Sequence, residues 1–224
     1  MATWTQALFG YGSLIESCMS AEVDRKRELR QRLIAARQAM PIQIWQQRSQ
    51  EICTQIERSN QFQTAQVVLS YLSFRQEVDL TQLYYRHPDK FWGLPRCVGR
   101  DLVWHQVDPG QLGSGRLEQS LSIGKFGILE PLPTLPSIDL KTVDLILIPT
   151  VACDRQGYRL GYGGGFFDRF LPTQIGYKVG ITFDDFYLEH LPVESWDIPM
   201  QSIVTESGLA HLDFDDSAIL PKKL

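Results

Sequence analysis

The run VDLILIPTVAC (Val143–Cys153) constrains the fold more than any other segment. Almost every residue in it is apolar and several are β-branched, so as a strand it offers no face to water. Such a strand belongs in a parallel sheet covered by helices on both sides. Shortly after it comes RLGYGGGFFDRFL (Arg159–Leu171), where glycine fills positions 161, 163, 164 and 165 and a helical pattern begins at once. Ligands of open parallel sheets sit in the loops that follow the carboxyl ends of strands. The strongest strand therefore leads to the most glycine-rich loop, at the place where a ligand is expected.

The rest of the chain supports that architecture. After Ser20, an N-cap residue with Glu22 and Asp24 in the following turn, AEVDRKRELRQRLIAARQAM reads as a helix stopped by Pro41. Its Val23, Leu29, Leu33 and Ala36 share one face, and Lys26, Arg30 and Arg37 gather on another. A second helix is predicted over IQIWQQRSQEICTQIER. Then QVVLSYLSF reads as a strand, VDLTQLYYR as a helix, and KFWGLPR and DLVWHQV as strands. The stretch Pro109–Ser137 is rich in Gly, Pro and Ser and reads as loop with short pieces. YKVGITF and QSIVTES complete the strands. Strands alternating with helices predict a three-layer α/β/α sandwich with a mainly parallel, Rossmann-like sheet. Residues 1–20 are expected to form an N-terminal extension and residues 21–224 a single α/β domain.

Composition excludes several classes of partner. The formal net charge of −4 gives no reason to expect nucleic acid or an anionic membrane surface. No apolar run is long enough to span a bilayer. The first twenty residues lack the basic start and continuous apolar core of a signal peptide, and they contain no arginine for a transit peptide. Cys18, Cys53, Cys97 and Cys153 are far apart with no C-x-x-C pair, as expected of reduced thiols in the cytoplasm. A monomer is expected.

Two familiar phosphate loops fail on the glycine segment. A Walker A loop needs G-x-x-x-x-G-K-[ST], and no Lys, Ser or Thr lies between Gly161 and Asp168. A dinucleotide fingerprint needs G-x-G-x-x-G; counted from Gly161 the last position is Phe166, and counted from Gly163 it is Asp168. A nest of backbone N–H groups converging on an anion remains. Asp168 reads either as a cap of the following helix or as a Mg²⁺ ligand beside phosphate oxygens. The loop's missing cation is either Arg159, which flanks it, or the pair Lys26 and Arg30, which share a helix face at i, i+4. A basic helix face taken alone is more often merely solvated.

Five stretches together resemble the 5-formyltetrahydrofolate cyclo-ligases, also called methenyltetrahydrofolate synthetases. They are KRELRQRLIAAR, YLSFRQEVD, GILEP at Gly127–Pro131, DLILIPTVACDRQGYRLGYGGGFFDRFL, and LPVESWDIPMQSIVTESG. Order and spacing match from about Asp24 to Gly208. The resemblance implies an α/β sandwich that couples ATP hydrolysis to ring closure of 5-formyltetrahydrofolate, giving 5,10-methenyltetrahydrofolate, ADP and phosphate. On matching positions it implies that Lys26 and Arg30 contact ATP phosphates, with Arg159 as a third catalytic cation. Leu160, Gly161, Tyr162, Gly163, Gly164, Gly165, Phe166 and Phe167 then wrap the phosphates, and Asp168 and Asp197 hold Mg²⁺. Phe74, Glu77 and Asp79 fall on the folate side, and Tyr162–Phe166 faces both ligands.

The chain departs from the family pattern at four places. Phe166 and Phe167 stand where tyrosines are frequent, Phe186 where glutamine is, and Trp196 where histidine is. Two rival readings are weighed against the enzyme. LFGYGSLI resembles the Y-G-S-L loop of γ-glutamyl cyclotransferases, but a charged helix begins where that family needs a barrel-like domain. A non-catalytic nucleotide or folate sensor on the same fold is the other; joint retention of Lys26, Arg30 and Asp168 argues against it.

Overall fold

The strand Leu145–Pro149 shows why its sequence is apolar throughout. Leu145 and Leu147 point to one side of the sheet and pack with residues of four helices: α1 (25–38), α2 (Ile42–Arg58), α3 (Asn60–Thr64) and α4 (Thr81–Arg86). Leu33, Ile52, Ile56, Phe62, Leu83 and Tyr84 form that layer. Ile146 and Ile148 point the other way, onto Trp104, Phe170, Leu171 and Met200. Each of these buried side chains is worth roughly 1.5–3 kcal/mol relative to exposure, as an upper estimate. Both faces are therefore committed to core, as the unbroken apolar run requires.

The structure is a computed structural model, and it describes residues 25–109, 120–194 and 196–212. The expected extension over 1–20, the Ser20 cap, and Glu22 and Asp24 lie outside the described residues. The strands are β1 Val67–Leu69, β2 Phe91–Val98, β3 Asp101–Val107, β4 Leu121–Ile123, β5 Leu129–Pro131, β6 Leu145–Pro149, β7 Ala152–Asp154, β8 Arg159–Leu160, β9 Tyr177–Ile181, β10 Tyr187–Leu188, β11 Ser202–Thr205 and β12 Gly208–His211. A fifth helix, α5, covers Phe166–Phe170. The main sheet has seven strands in the order β12-β11-β9-β6-β1-β2-β3. The five inner strands run parallel, and β12 and β3 are antiparallel edges. This is the mainly parallel α/β sheet that the pattern predicts. The second helical layer is thin: α5 and neighbouring loops do the work that four helices do on the other face.

Three differences from the sequence reading have local causes. QVVLSYLSF pairs as a strand only over Val67–Leu69, and the chain after it turns at Arg75 and Gln76, which adopt left-handed backbone conformations (φ 50° and 55°). VDLILIPTVAC divides at Pro149, which has no N–H to continue a ladder; Ala152–Asp154 joins β8 and β10 in a separate three-stranded sheet. After QSIVTES the chain folds back as β12, an edge strand beyond the last one expected.

β1 lies between β2 and β6, and the chain runs from β1 outward through α4 to β2, then returns on the other side to β6. The carboxyl ends of β1 and β6 thus flank a topological switch point, where open sheets leave a crevice. The segments leaving those ends are Ser70–Glu77 and Thr150 onward.

Candidate functional site

The glycine loop is aimed by the hairpin β7–β8. Asp154, 1% exposed, closes that hairpin: Oδ1 accepts from the N–H groups of Gln156 and Tyr158 at 3.0 and 2.9 Å, and Oδ2 from that of Leu191 at 2.9 Å. Beyond β8, Gly163 and Gly165 take φ values of 87° and 66°, which only glycine adopts freely. A Cβ on Gly163 would also lie 3.3 Å from the Arg30 guanidinium carbon. Gly161 differs: its φ is outside the left-handed region and a Cβ there would meet nothing within 4 Å. Packing within the chain does not require glycine at 161, whereas close approach by a ligand would.

The charges come from two directions. Lys26, Arg30 and Arg37 project from one face of α1. Lys26 Nζ sits 2.8 Å from both Glu194 Oε2 and Asp197 Oδ2. Burial alone would lower its pKa, but hydrogen bonds and charge from Asp197 and Glu194 raise it on balance. Arg30 Nε donates to the Gly161 carbonyl at 2.6 Å, which ties α1 to the loop. From the loop itself, Arg159 Nη2 pairs with Asp168 Oδ1 at 2.5 Å, and the Arg159 side chain is only 4% exposed. Each carboxylate expected to face a metal is therefore paired with a cation expected to face phosphate.

On the other wall, Ser73–Glu77 forms a tight turn. Phe74 N–H donates to Glu77 Oε2 at 3.0 Å, Glu77 N–H donates to the Phe74 carbonyl at 3.1 Å, and Trp45 Nε1 donates to the Glu77 carbonyl at 2.8 Å. Arg37, 2% exposed, donates to the Arg75 carbonyl at 3.1 Å, to the Thr150 carbonyl at 2.8 Å, and to the Tyr162 hydroxyl. It thereby joins the Glu77 turn, the end of β6 and the glycine loop. Burial pushes the Glu77 carboxyl up to about 7, against the lowering effects of the Arg37 charge, the Phe74 N–H and the Tyr162 hydroxyl.

That raised pKa has a signed consequence. Between the ordinary carboxyl value of 4.5 and about 7, folded Glu77 holds a proton that the unfolded chain has lost. Stability should therefore fall as pH rises through this window, by up to about 1.4 kcal/mol per pH unit. Glu77→Gln is expected to flatten the slope in urea titrations run across that window. An unchanged slope would remove Glu77 as its source.

Between the two walls lies a cavity of about 540 Å³. Its sides come from the segment after β1, including Tyr71, Phe74 and Glu77, from the β2–β3 pair, from the hairpin that carries Phe126 and Glu130, and from the glycine loop through Asp168. Phe126 meets Phe166 edge-on at 5.7 Å, and Phe74 lies 5.9 Å from Tyr162, so aromatic contacts join both walls to the loop.

The 5-formyltetrahydrofolate cyclo-ligase family model matches residues 22–206, which span every element of this site. The chain belongs to the 5-formyltetrahydrofolate cyclo-ligase family. It is 32% identical over 177 residues to the Escherichia coli K12 5-formyltetrahydrofolate cyclo-ligase, covering 76% of this chain and 94% of that one. Among solved structures, the NMR structure of Aquifex aeolicus 5,10-methenyltetrahydrofolate synthetase superposes with a TM-score of 0.72 at 31% identity, over 84% of this chain and 92% of that chain. A Mycoplasma pneumoniae 5,10-methenyltetrahydrofolate synthetase gives 0.64 at 18% identity, over 81% and 98%, a likeness of fold. Membership makes the chain an enzyme, a ring-closing ligase.

Set beside the cyclo-ligase expectations, most named residues converge. Phe74, Glu77, Arg159, Gly161–Phe167 and Asp168 line the cavity; Leu160 is buried behind it in β8. Lys26 and Asp197 pair with each other outside the cavity lining, and Arg30, one turn on in α1, reaches the loop at the Gly161 carbonyl. Asp79 does not join them. Its Oδ1 accepts from the Thr81 N–H at 3.0 Å and from the Thr81 hydroxyl at 2.5 Å, so it secures the start of α4. An acid two residues before a helix was a visible sign of that role. Phe186 is a buried core residue beside Phe183, and Trp196 is 56% exposed.

Arg37, Tyr71, Phe126 and Glu130 carry no role in the sequence reading, although Arg37 was on the basic face and Glu130 in the GILEP segment. Among the described residues no three His, Cys, Asp or Glu cluster as a metal cage. The donor set suits magnesium, which uses one or two carboxylates and completes its shell with water and phosphate oxygens. No described helix is long and apolar enough to cross a membrane.

Proposed function

We propose that this cyclo-ligase family member closes the ring of 5-formyltetrahydrofolate to 5,10-methenyltetrahydrofolate at the expense of ATP, with Mg²⁺. The observation that carries the reading is the pairing of Lys26 with Asp197 and of Arg159 with Asp168 beside a loop whose Gly161 leaves open space. When Mg·ATP is bound, it supplies the phosphoryl group that turns the formyl oxygen into a leaving group, after which N10 of the folate closes the ring and phosphate departs. The chain's own part is positioning and charge balance, the main requirements of phosphoryl transfer. With Mg·ATP bound, Lys26 and Arg159 would turn to phosphate oxygens, and Asp197 and Asp168 would be the carboxylates that hold the metal. Arg30, fixed to the Gly161 carbonyl, keeps a positive charge over the loop. Glu77 accepts from pterin N–H groups, and Tyr162, held by Arg37, closes the wall between the two ligands. Phe166 and Phe167 offer rings and no hydroxyl, so they stack and exclude water without moving protons.

A monomer is the proposed working unit. The free thiols of Cys53, Cys97 and Cys153 support a reducing compartment such as the cytoplasm.

Purified protein given Mg·ATP and 5-formyltetrahydrofolate should develop the near-ultraviolet absorbance of the methenyl product with equimolar ADP. Tight binding of both ligands without product would replace the enzyme reading with the folate or nucleotide sensor. Gly161→Ala offers a finer check. Because a Cβ there meets nothing, the variant should unfold at the same urea concentration as the parent and bind ATP at least about ten-fold more weakly. Unchanged ATP affinity would remove the loop from the nucleotide site.

A further inference from the structure

Glu130 lies in β5 and is 6% exposed. It forms part of the cavity wall, and Gly124 across the hairpin packs so closely that a Cβ there would overlap its carboxyl group. The hairpin therefore fixes the side chain in place. The Cys97 thiol, also on the wall, lies close enough to this carboxyl group to feel its charge. Burial, with the charge of Glu130, pushes that thiol up to about 11, so Cys97 stays a neutral thiol and not a nucleophile. Glu130 Oε1 has no hydrogen-bond partner among the described residues. A buried acceptor left unpaired costs about 1–3 kcal/mol, more when charged, and few such groups survive in folded chains.

The other buried carboxylate of the wall is not in this condition: Glu77 Oε2 accepts from the Phe74 N–H, and neither Glu77 oxygen is among the buried atoms left without a partner. Of the two arginines on the wall, Arg159 is committed to Asp168 and Arg75 lies over the Phe74 ring. Around Glu130 the wall is apolar, with Leu94, Pro95, Leu102, Phe126 and Leu129. An open acceptor among flat apolar surfaces fits a planar heterocycle with N–H donors. A reduced pterin has N–H donors in both of its rings, so two carboxylates on different walls can each hold one.

We infer that Glu130 is a substrate-contacting residue whose buried, unpaired Oε1 accepts a hydrogen bond from an N–H of the reduced pterin ring, as a second anchor beside Glu77. This rests on the folate reading of the cavity. It also separates stability from binding in a way that a purely structural role does not. Glu130→Gln keeps the shape of the side chain and replaces one acceptor oxygen with an NH₂ group that cannot accept from a substrate N–H. Charged hydrogen bonds to ligands are worth enough that the Michaelis constant for 5-formyltetrahydrofolate should rise about ten-fold or more. The Michaelis constant for ATP should stay within about two-fold, and the urea midpoint of the ligand-free protein should be unchanged or higher, since an unpaired charge has been removed.

Glu130→Asp, which keeps the charge and shortens its reach, is expected to weaken folate in the same way and guards against a folding failure of the first variant. Wild-type folate constants in both variants would overturn the inference. So would equal losses for folate and ATP together with a lower urea midpoint, the mark of a hairpin brace. A wild-type chain that neither binds nor converts 5-formyltetrahydrofolate overturns the function reading itself, and is told apart because it needs no variant.

Discussion

Asp168→Asn should lower turnover by about two to three orders of magnitude and leave the chain folded. Loss of a preorganised charge-stabilising group at a reacting centre has effects of that size. Asparagine keeps the shape and one acceptor for Arg159, whose side chain is almost fully covered while that of Asp168 is 32% exposed. The loss of a charged hydrogen bond at such a partly open site is expected to cost about 1–2 kcal/mol of stability. The variant also separates the partners of the exchange. Arg159 no longer has to leave an anion, so ATP without metal should bind as well as before or better. Tightening of ATP by Mg²⁺, measured by titration with and without the metal, should shrink. Full turnover in this variant would show that Asp168 is a structural partner of Arg159 and nothing more.

Arg37→Met is expected to be the most destabilising single change at the site, by about 3–5 kcal/mol, the range for removing one partner of a buried charged network. The methionine leaves the Thr150 and Arg75 carbonyls and the Tyr162 hydroxyl without their donor, and Glu77 without its nearest positive charge. Because Arg37 lowers the Glu77 pKa, it stabilises the folded state most where Glu77 is ionised. The loss should therefore be larger above about pH 7 than below it, read from urea midpoints with an unchanged denaturant slope. Folate binding should weaken as the Glu77 turn and Tyr162 separate. A loss below about 1 kcal/mol would mean that Arg37 does not hold the two walls together.

The parts of this site that were legible in the sequence are those with local causes. An unbroken apolar run fixed β6 as a central strand, and dense glycine after it marked the ligand loop. Helical spacing placed Lys26, Arg30 and Arg37 on one face of α1, but spacing within a helix says nothing about what that face meets. The Arg30 contact with Gly161 spans 131 residues of sequence and exists only once α1 has docked. Arg75 and Gln76 have ordinary side chains, and nothing in their types announces left-handed backbone; surrounding bonds from Arg37, Met40 and Trp45 impose it. Asp79 was grouped with Glu77 because the two are close in sequence. The turn that buries Glu77 in the cavity wall sends Asp79 toward α4 instead. Glu130 was visible only as a letter of a motif; its burial, its contact with Cys97 and its open oxygen depend on a hairpin within a stretch that read as loop.

The two aromatic departures sharpen the same distinction. Phe167 packs with Trp104 and Phe170, and Phe166 with Phe126, so both rings brace the loop from behind and beside it. Neither can relay a proton, and the phenolic hydroxyl that remains in the loop is that of Tyr162, held by Arg37.

In the proposed reaction the formyl oxygen leaves as part of phosphate. The most direct test is a turnover of 5-formyltetrahydrofolate labelled with ¹⁸O in its formyl group, with mass analysis of the inorganic phosphate. One labelled oxygen per phosphate, in step with methenyl product, is the predicted result. Methenyl product accompanied by unlabelled phosphate would contradict it.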